Sequence, residues 1–487
     1  MKTKKLFSGW VVAILFLFAF NNAKANNVQI TGTSVSGSNV TFTISWDNSW
    51  NANVAPSNWD AVWVFIKYQD CNTRLWAHAG LSTLASDHTA DSPLQADPVT
   101  DGRGVFLRRS AIGGGSITNA SITLKMTIPA GTYNYKVFGI EMVNVPQSAF
   151  DLGDGISTTT LNNISVIAAM ESNGITAATL GGGSASVPGA YPVGFNSFYT
   201  MKYEISQEQY ADYLNALTYD QQRAHTASDP ISAVGTLAFP SSARNGIKIS
   251  TPGNNSAIPA IFACDATTGI ENNIDDGQNV AMNGLSWADL SAFLDWAALR
   301  PMSELEYEKI CRGITPRLSG EYPWGTTDIN YITPSNVLNS LKPNETYNTG
   351  VNGLCNFNGG NTGYPYYYSL GFFNPVKVGF SATGSSGRAS SGAAYYGSME
   401  MGGNVNEQVV SVSTDGVSFT GNNGDGQILA NGNANQTSWP SITTALGIGL
   451  KGGSFNDGST SARTSDRGSI TTAPTTRSSS YGGRGVR

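Results

Sequence analysis

The nonapeptide RPMSELEYE, residues 300–308, places a glutamate, Glu306, three positions after Ser303. A serine at the N-cap and a glutamate at the third helical position each accept a hydrogen bond from the other's backbone N–H, which is the arrangement called a capping box. Gly313, directly after Arg312, is a typical helix-terminating residue. The stretch therefore predicts a helix that begins at Ser303 and ends at Arg312-Gly313.

Two further capping boxes lie upstream of this one. Ser206 with Gln209, and Ser286 with Asp289, each precede apolar residues at helical spacing. Elsewhere the second half is rich in Gly, Ser, Asn and Thr, with only short apolar pieces. A few helices in a turn-dense chain predict an α+β, loop-rich domain over residues 140–487.

The first half has a different pattern. Apolar residues occupy every second position from Val40 to Trp46 and from Ile122 to Ile128. The run from Ala61 to Ile66 is continuously apolar, which is typical of a strand buried on both faces. Strands of this kind between turn-rich segments predict an antiparallel β-sandwich over residues 26–139, with the alternating tryptophans in its core.

The composition limits the possible functions. The 487 residues carry 28 Lys and Arg against 34 Asp and Glu, a formal charge of −6, and 13% of residues are charged. Nucleic-acid binding is not expected, because it needs a clustered basic surface. With 10% aromatic residues the chain is also unlike a disordered protein.

Residues 1–25 have the pattern of a secretory signal peptide. Lys2, Lys4 and Lys5 precede an apolar run from Val11 to Phe20, and Ala23-Lys24-Ala25 follows as a cleavage site. The run is shorter than the roughly 20 residues of a membrane span, and no later segment is apolar enough to span. We therefore expect a secreted protein that is extracellular, periplasmic or at the cell surface.

The cysteines and histidines do not predict a zinc site. The four cysteines are far apart in the sequence, and the three histidines are equally scattered. In an oxidising compartment the cysteines have three possible pairings, and the sequence does not choose among them. They are Cys71, Cys264, Cys311 and Cys355.

Eight segments of the second half stand in a characteristic order. They are residues 140–146 with 150–153, 201–206, 284–287, 300–308, 322–325, 399–407, 450–455 and 482–487. In this order they resemble the formylglycine-generating enzyme family, also called sulfatase-modifying factors. The resemblance implies the fold that this family shares with C-type lectins, a small twisted sheet with a few helices and long loops.

The resemblance does not carry over to the family's oxidase chemistry. The family binds copper(I) through two cysteines, and the matching positions here are Asp457 and Ala462. Soft thiolates suit copper(I), and a carboxylate and a methyl group do not replace them. The family's active-site tryptophan is Asn406 here. We therefore expect no copper binding and no formylglycine-generating activity.

The resemblance also implies calcium sites. The family's calcium loop corresponds to Glu400, Gly403 and Glu407, with the carbonyls of Gly403 and Val405 as further donors, and Asn356 could head a second site. Oxygen ligands at this spacing suit calcium. The alternative interpretation is a solvated turn with two surface glutamates.

Residues 454–487, which we call the tail, are built mainly of Ser, Thr, Gly, Asn, Asp, Ala and Arg. Short polar residues on loops suit a contact surface, although the same composition is typical of ordinary surface loops. The tail also resembles that of the variable proteins of diversity-generating retroelements, which carry a hypervariable binding segment there. The ligand-binding candidates are Asn406, Asn456, Asp457, Ser459, Arg463 and Tyr481.

Three functions remain from the sequence. The first is an exported, non-catalytic protein that binds a protein or glycan ligand or has a structural role. The second is a formylglycine-generating oxidase acting on sulfatases. The third is a variable binding protein of a diversity-generating retroelement. For the arginines of the tail, Arg463, Arg467 and Arg477, we expect that at least one pairs with a carboxylate inside the domain.

Overall fold

The computed structural model describes residues 27–255, 258–333, 336–347, 350–358 and 374–487. The predicted signal peptide lies outside these residues. The strands of the described chain are β1 Gln29–Ser36, β2 Asn39–Asn51, β3 Asp60–Asp70, β4 Trp76–His78, β5 Gly80–Leu81, β6 Thr89–Ala90, β7 Leu94–Pro98, β8 Val105–Arg109, β9 Gly113–Thr127, β10 Tyr133–Val145, β11 Phe150–Leu152, β12 Ile164–Val166, β13 Phe198–Met201, β14 Ile247–Thr251, β15 Ile261–Cys264, β16 Asn330–Tyr331, β17 Val337–Leu338, β18 Thr346–Tyr347, β19 Leu354–Cys355, β20 Glu407–Val410 and β21 Ile448–Lys451.

The helices of the same ranges are all short. They are α1 Ala168–Asn173, α2 Ala177–Leu180, α3 Gln207–Leu214, α4 Tyr219–His225, α5 Trp287–Trp296, α6 Glu304–Arg312 and α7 Arg388–Ser391. None of these helices is both long and apolar enough to cross a membrane. The chain is mostly strand, turn and loop.

Two antiparallel sheets form the first part of the fold. One has the order β1-β2-β9-β5, with β6 also paired to β9, and the other has the order β13-β10-β3-β8-β7, with β4 paired to β3. Phe42 and Ile44 of β2 share one apolar core with Val62 and Val64 of β3. The predicted alternation is confirmed, because Val40, Phe42, Ile44 and Trp46 are buried while the residues between them are half-buried.

The central strand of the second sheet, β3, is buried on both faces over most of its length. Residues 61–66 of β3 are all 0% exposed, as the continuous apolar run predicts. Trp63 and Phe65 face away from the first sheet and pack in the larger core, together with Phe293 and Trp296 of α5. Trp63 Nε1 donates to the Ala297 carbonyl at 2.9 Å.

The predicted boundary between residues 139 and 140 falls inside a strand. β10 continues across it and pairs with β3 through Val143↔Asp60, and β13 extends the same sheet beside β10. A strand that is buried on both faces is apolar before and after a predicted domain boundary, so the sequence does not show that one strand crosses the boundary. The second sheet thus contains strands from both halves of the chain.

The three predicted helices are confirmed at their starts. Capping boxes are present at Ser206, Ser286 and Ser303. The third helix ends at Gly313, whose φ of 65° favours glycine. α4 has the same device, with Thr218 and Gln221, and this helix was not predicted from the sequence.

Candidate functional site

Two arginines, Arg467, which is buried, and Arg477, which is half-buried, attach the tail to the helices. Arg467 Nε donates to Glu304 Oε2 at 2.6 Å, where Glu304 is the first residue of α6. Arg477 Nε and Nη2 donate to the two carboxylate oxygens of Asp289 at 2.8 and 2.7 Å. Such two-pronged contacts fix the direction of a loop as well as its position. The expectation that a tail arginine pairs inside the domain is confirmed for both residues.

Asp289 combines two roles. It is the capping-box residue of α5, and it accepts hydrogen bonds from both Arg477 and His225. Burial opposes its ionisation, but the hydrogen bond from His225 and the charge of Arg477 outweigh burial and lower the pKa of Asp289 below its ordinary value. The start of the helix and the end of the tail are therefore held by one carboxylate.

A third tail arginine, Arg484, lies among buried carboxyl groups. Its Nε is 2.5 Å from Glu407 Oε1, and both side chains are 0% exposed. Its Nη2 donates to the carbonyls of Met399 at 2.7 Å and Glu400 at 3.1 Å. Burial and the charges of Glu407 and Glu400 raise the pKa of Glu204 well above its ordinary value, while Arg484 opposes the change.

The structure places Glu400 and Glu407, two of the predicted calcium residues, in contact with this arginine. Glu400 accepts from the Gly379 N–H at 2.8 Å, and the Val405 N–H donates to Glu204 at 3.0 Å. Glu400 and Glu407 are buried, so the surface-turn alternative does not describe them.

The donor atoms are oxygens, which suits calcium, but one Glu407 oxygen is taken by Arg484. Within the described ranges, no group of three or more His, Cys, Asp or Glu side chains is arranged to hold a metal ion. Calcium binding therefore stays a prediction.

Asn356, the proposed head of a second calcium site, is also buried. Its Nδ2 donates to the Asn374 carbonyl at 3.0 Å and to Asn404 Oδ1 at 3.1 Å, and its own carbonyl accepts from the Asn404 N–H at 2.8 Å. The loop with Gly403, whose φ is 80°, turns directly beside it. Asn356 thus links the loops that contain Asn374 and Asn404, and this structural role accounts for its burial without a metal ion.

Three of the six ligand-binding candidates come together at one place. Asn406 and Tyr481 form a parallel bridge, and the Asn406 N–H donates to the Ser480 carbonyl at 2.8 Å. Asn406 Nδ2 donates to Asp457 Oδ2 at 3.1 Å, and Ser454 Oγ donates to the same oxygen at 2.7 Å. Asn406 is buried, whereas Asp457 and Tyr481 are half-buried and reach the surface.

The other three candidates differ in position. Asn456 is exposed and adjoins Asp457. Ser459 begins a short 3₁₀ turn, Ser459–Ala462. Arg463 follows this turn and lies beside Gly320, since a Cβ placed on Gly320 would be 3.7 Å from Arg463 Cζ. No described hydrogen bond joins Ser459 or Arg463 to Asn406.

The two positions that match the family's copper-binding cysteines, Asp457 and Ala462, have different surroundings. Asp457 is half-buried and reaches the surface. Ala462 is 1% exposed and packs with Tyr322, Trp324, Cys355 and Phe357. The thiol of Cys355 donates to the Gly402 carbonyl at 3.2 Å, and burial raises the pKa of this thiol. The position that would carry a metal-binding thiolate is thus part of an apolar cluster.

All four cysteines are free thiols in the structure, and three of them are buried. Burial raises the pKa of Cys311 to about 12 and also raises that of Cys264. A neutral buried thiol is a poor nucleophile and a poor metal ligand. None of the three possible disulfide pairings is formed.

The roles of Glu204 and Arg484 were not predicted from the sequence. Both lie in segments that carry the family resemblance, residues 201–206 and 482–487. The available signal was a charged residue inside a short segment of the family resemblance, since a charged residue in such a segment is rarely buried without a partner. The partner itself could not be read from the sequence.

Comparisons with known proteins identify the family. A family model described as sulfatase-modifying factor enzyme 1-like domain matches residues 163–487, inside the predicted domain of residues 140–487. The chain belongs to this family. Among solved structures it is similar to Treponema denticola variable protein 1, at 13% identity and a TM-score of 0.32, covering 72% of this chain and 95% of that one. No curated protein matches the chain.

Proposed function

We propose that this chain is a non-catalytic ligand-binding protein, built from an N-terminal β-sandwich and a sulfatase-modifying factor domain of C-type-lectin-like fold. The observation that carries the proposal is that some residues of the tail anchor it to the domain while others are exposed. Arg467, Arg477 and Arg484 hold it to buried carboxylates, while small polar residues elsewhere in the tail, such as Asn456 and Thr476, are exposed. A rigidly held backbone with exposed polar side chains suits recognition.

The absence of oxidase chemistry is part of the proposal. The resemblance assigns the copper ligands to positions that are Asp457 and Ala462 here, and Ala462 is buried among aromatic side chains. Oxygen and methyl groups do not bind copper(I) as thiolates do. We propose that the family's scaffold has been kept for its loops rather than for its chemistry.

A copper titration tests the non-catalytic part. Purified protein would be titrated with copper(I) and calcium separately, and incubated with a cysteine-containing sulfatase-motif peptide that is followed by mass spectrometry. We expect no stoichiometric copper binding and no conversion of the peptide cysteine to an aldehyde. The double variant Asp457→Cys, Ala462→Cys is the matched comparison for copper binding. Tight copper binding by the unaltered protein would overturn the proposal.

A binding screen tests the recognition part. The protein would be screened against a glycan array and a displayed-peptide library, alongside the variant Asn456→Lys, Thr476→Lys and the control Thr414→Lys. All three positions are exposed, and the control lies outside the tail. We expect the tail variant to lose at least about tenfold in affinity for a selected ligand while the control keeps it. Selected ligands that all bind the tail variant as tightly as the unaltered protein would contradict the proposal, because it places the binding surface in the tail.

Export is also proposed, on the pattern of residues 1–25. N-terminal sequencing of the protein isolated from its native cells would locate the mature start. We expect it at Asn26, with the protein outside the cytoplasm. A mature chain that retains residues 1–25 would contradict this part.

A diversified binding protein is the second candidate. The favouring observation is that Thr471, Thr472, Thr475 and Thr476 are exposed, so substitutions there would disturb little packing. Sequencing the 3′ end of the gene and its flank in related strains tests it. Differences concentrated at asparagine-type codons of the tail, with a near-copy repeat beside a reverse transcriptase gene, are expected. A tail of uniform sequence without such a repeat would exclude it.

A further inference from the structure

Most of the arginine charges of the tail are neutralised internally. Among the described residues, four of the five tail arginines form an ion pair with an acid elsewhere in the chain, whereas Arg463 and Asp457 form none. The four pairs are Arg467–Glu304, Arg477–Asp289, Arg484–Glu407 and Arg487–Asp101. The other acid of the tail, Asp466, is only 6% exposed and accepts from the Gly468 N–H at 3.0 Å. Asp457 is thus the tail carboxylate that reaches the surface without a counter-charge.

The carboxylate of Asp457 is held in place before any ligand binds. Its Oδ2 accepts from Asn406 Nδ2 at 3.1 Å and from Ser454 Oγ at 2.7 Å, and both donors are neutral. Its backbone N–H donates to the Ser454 carbonyl at 3.0 Å, and its carbonyl accepts from the Asn358 N–H at 2.9 Å. No described donor binds Oδ1. A fixed carboxylate with one free oxygen loses little conformational entropy when it binds a donor.

Tyr481 provides the second element of the same surface. It is half-buried and bridges to Asn406, the residue that fixes Asp457. Burial and the nearby charge of Asp457 raise the pKa of Tyr481, so its phenol stays neutral. A neutral tyrosine offers a ring face and one hydroxyl group, a combination that suits contact with a cationic side chain.

We propose that Asp457 and Tyr481 bind a cationic side chain, the ammonium of lysine or the guanidinium of arginine, on a protein partner. This rests on the proposed function. Charge favours a cation over a neutral sugar, because a sugar hydroxyl can donate a hydrogen bond to Asp457 but supplies no counter-charge when water is removed from the carboxylate. The neighbouring exposed residues, Asn456 and Thr460, are small and polar and leave room for a peptide backbone.

A peptide selection tests the inference, followed by a double-mutant cycle between Asp457 and the basic residue of the selected peptide. A displayed random-peptide library would be selected against the unaltered protein, and the best peptide measured by fluorescence anisotropy at low and high salt. We expect selected peptides to contain Lys or Arg. Asp457→Asn, which keeps the size and the acceptor of the side chain, should weaken binding by about tenfold or more and flatten its salt dependence. Asp415→Asn, at an exposed acid outside the tail, is the control.

The peptide provides the second half of the cycle. Replacing its basic residue by glutamine should weaken binding to the unaltered protein about as much as Asp457→Asn does, and should cost nothing further in the variant. Circular dichroism of each variant checks that the fold is intact, and the glutamine peptide tests the contact without altering the protein.

The outcomes separate the two proposals. Peptides that bind through the tail but lack a basic residue, or that are insensitive to Asp457→Asn, would overturn the inference while the proposed function stands. Glycan ligands that depend on the tail would do the same. If neither the peptide library nor a glycan array yields a ligand that depends on the tail, the proposed function fails and the inference fails with it.

Discussion

Replacing Glu400 by glutamine tests the charge balance of the buried carboxyl cluster. Glu400 is 6% exposed, and its Oε2 accepts from the Gly379 N–H at 2.8 Å. The glutamine carbonyl can accept the same hydrogen bond, so the substitution removes the ionisable proton and little else. The experiment therefore isolates the cost of a buried negative charge.

The expected magnitude follows from the pKa. Burial raises the pKa of Glu400 from 4.5 to about 7, against the opposing hydrogen bond from Gly379 and the charge of Arg484. The folded protein keeps this proton at a pH where the unfolded chain has released it, so the free energy of unfolding falls as the pH rises from 4.5 to about 7. At about 1.4 kcal/mol per pH unit, this interval corresponds to about 3 kcal/mol. The Glu400 charge also raises the pKa of Glu204. Removing this charge therefore lowers the pKa of Glu204, which further weakens the pH dependence of the free energy of unfolding.

Urea unfolding followed by tryptophan fluorescence measures the effect. Between about pH 4.5 and about pH 8, we expect the free energy of unfolding of the unaltered protein to fall by about 3 kcal/mol more than that of Glu400→Gln. Glu271→Gln, at an exposed carboxyl that accepts from Ser250 Oγ, is the control and should keep the original pH dependence. Identical pH profiles for Glu400→Gln and the unaltered protein would refute the reasoning.

Three further substitutions test the packing and the tail. Arg477→Met should lower the free energy of unfolding by about 3 kcal/mol, because it leaves the buried carboxylate of Asp289 without its arginine; urea unfolding measures this, and a change below about 1 kcal/mol would contradict it. Lys67→Met leaves two buried backbone carbonyls without their donor and should cost about 1–3 kcal/mol in the same assay, whereas an unchanged stability would mean that the amino group is not needed there. Thr475→Ala with Thr476→Ala should change stability by no more than about 0.5 kcal/mol, since both side chains are exposed; a larger loss would show that this part of the tail is structural.

The local features of this fold could be predicted from the sequence. The helices that begin after Ser206, Ser286 and Ser303 follow from residues three positions apart, and the structure has all three capping boxes. The alternation from Val40 to Trp46 likewise decides which face of β2 is buried. These features need only neighbouring residues, so each is written in one short segment.

The candidate surface could be predicted only in part. The resemblance pointed to Asn406, Asp457 and Tyr481, and the structure joins them through a bridge and a side-chain hydrogen bond. It did not indicate that Asn406 is buried, or that Arg463 lies apart beside Gly320. Burial depends on which loops cover a residue, and single-sequence patterns in irregular segments carry no such information.

The sequence by itself determined the helix starts, the apolar faces of the strands and the family of the second half. Only the tertiary structure decided the partners of the tail arginines and the continuity of β10 across the two halves. Arg484 and Glu407 are 77 positions apart, and Arg477 and Asp289 are 188 apart. Pairs so distant in the chain are brought together by the packing of the whole core. The residue type alone does not distinguish an arginine at the surface from one in a buried ion pair, since the same side chain serves in both.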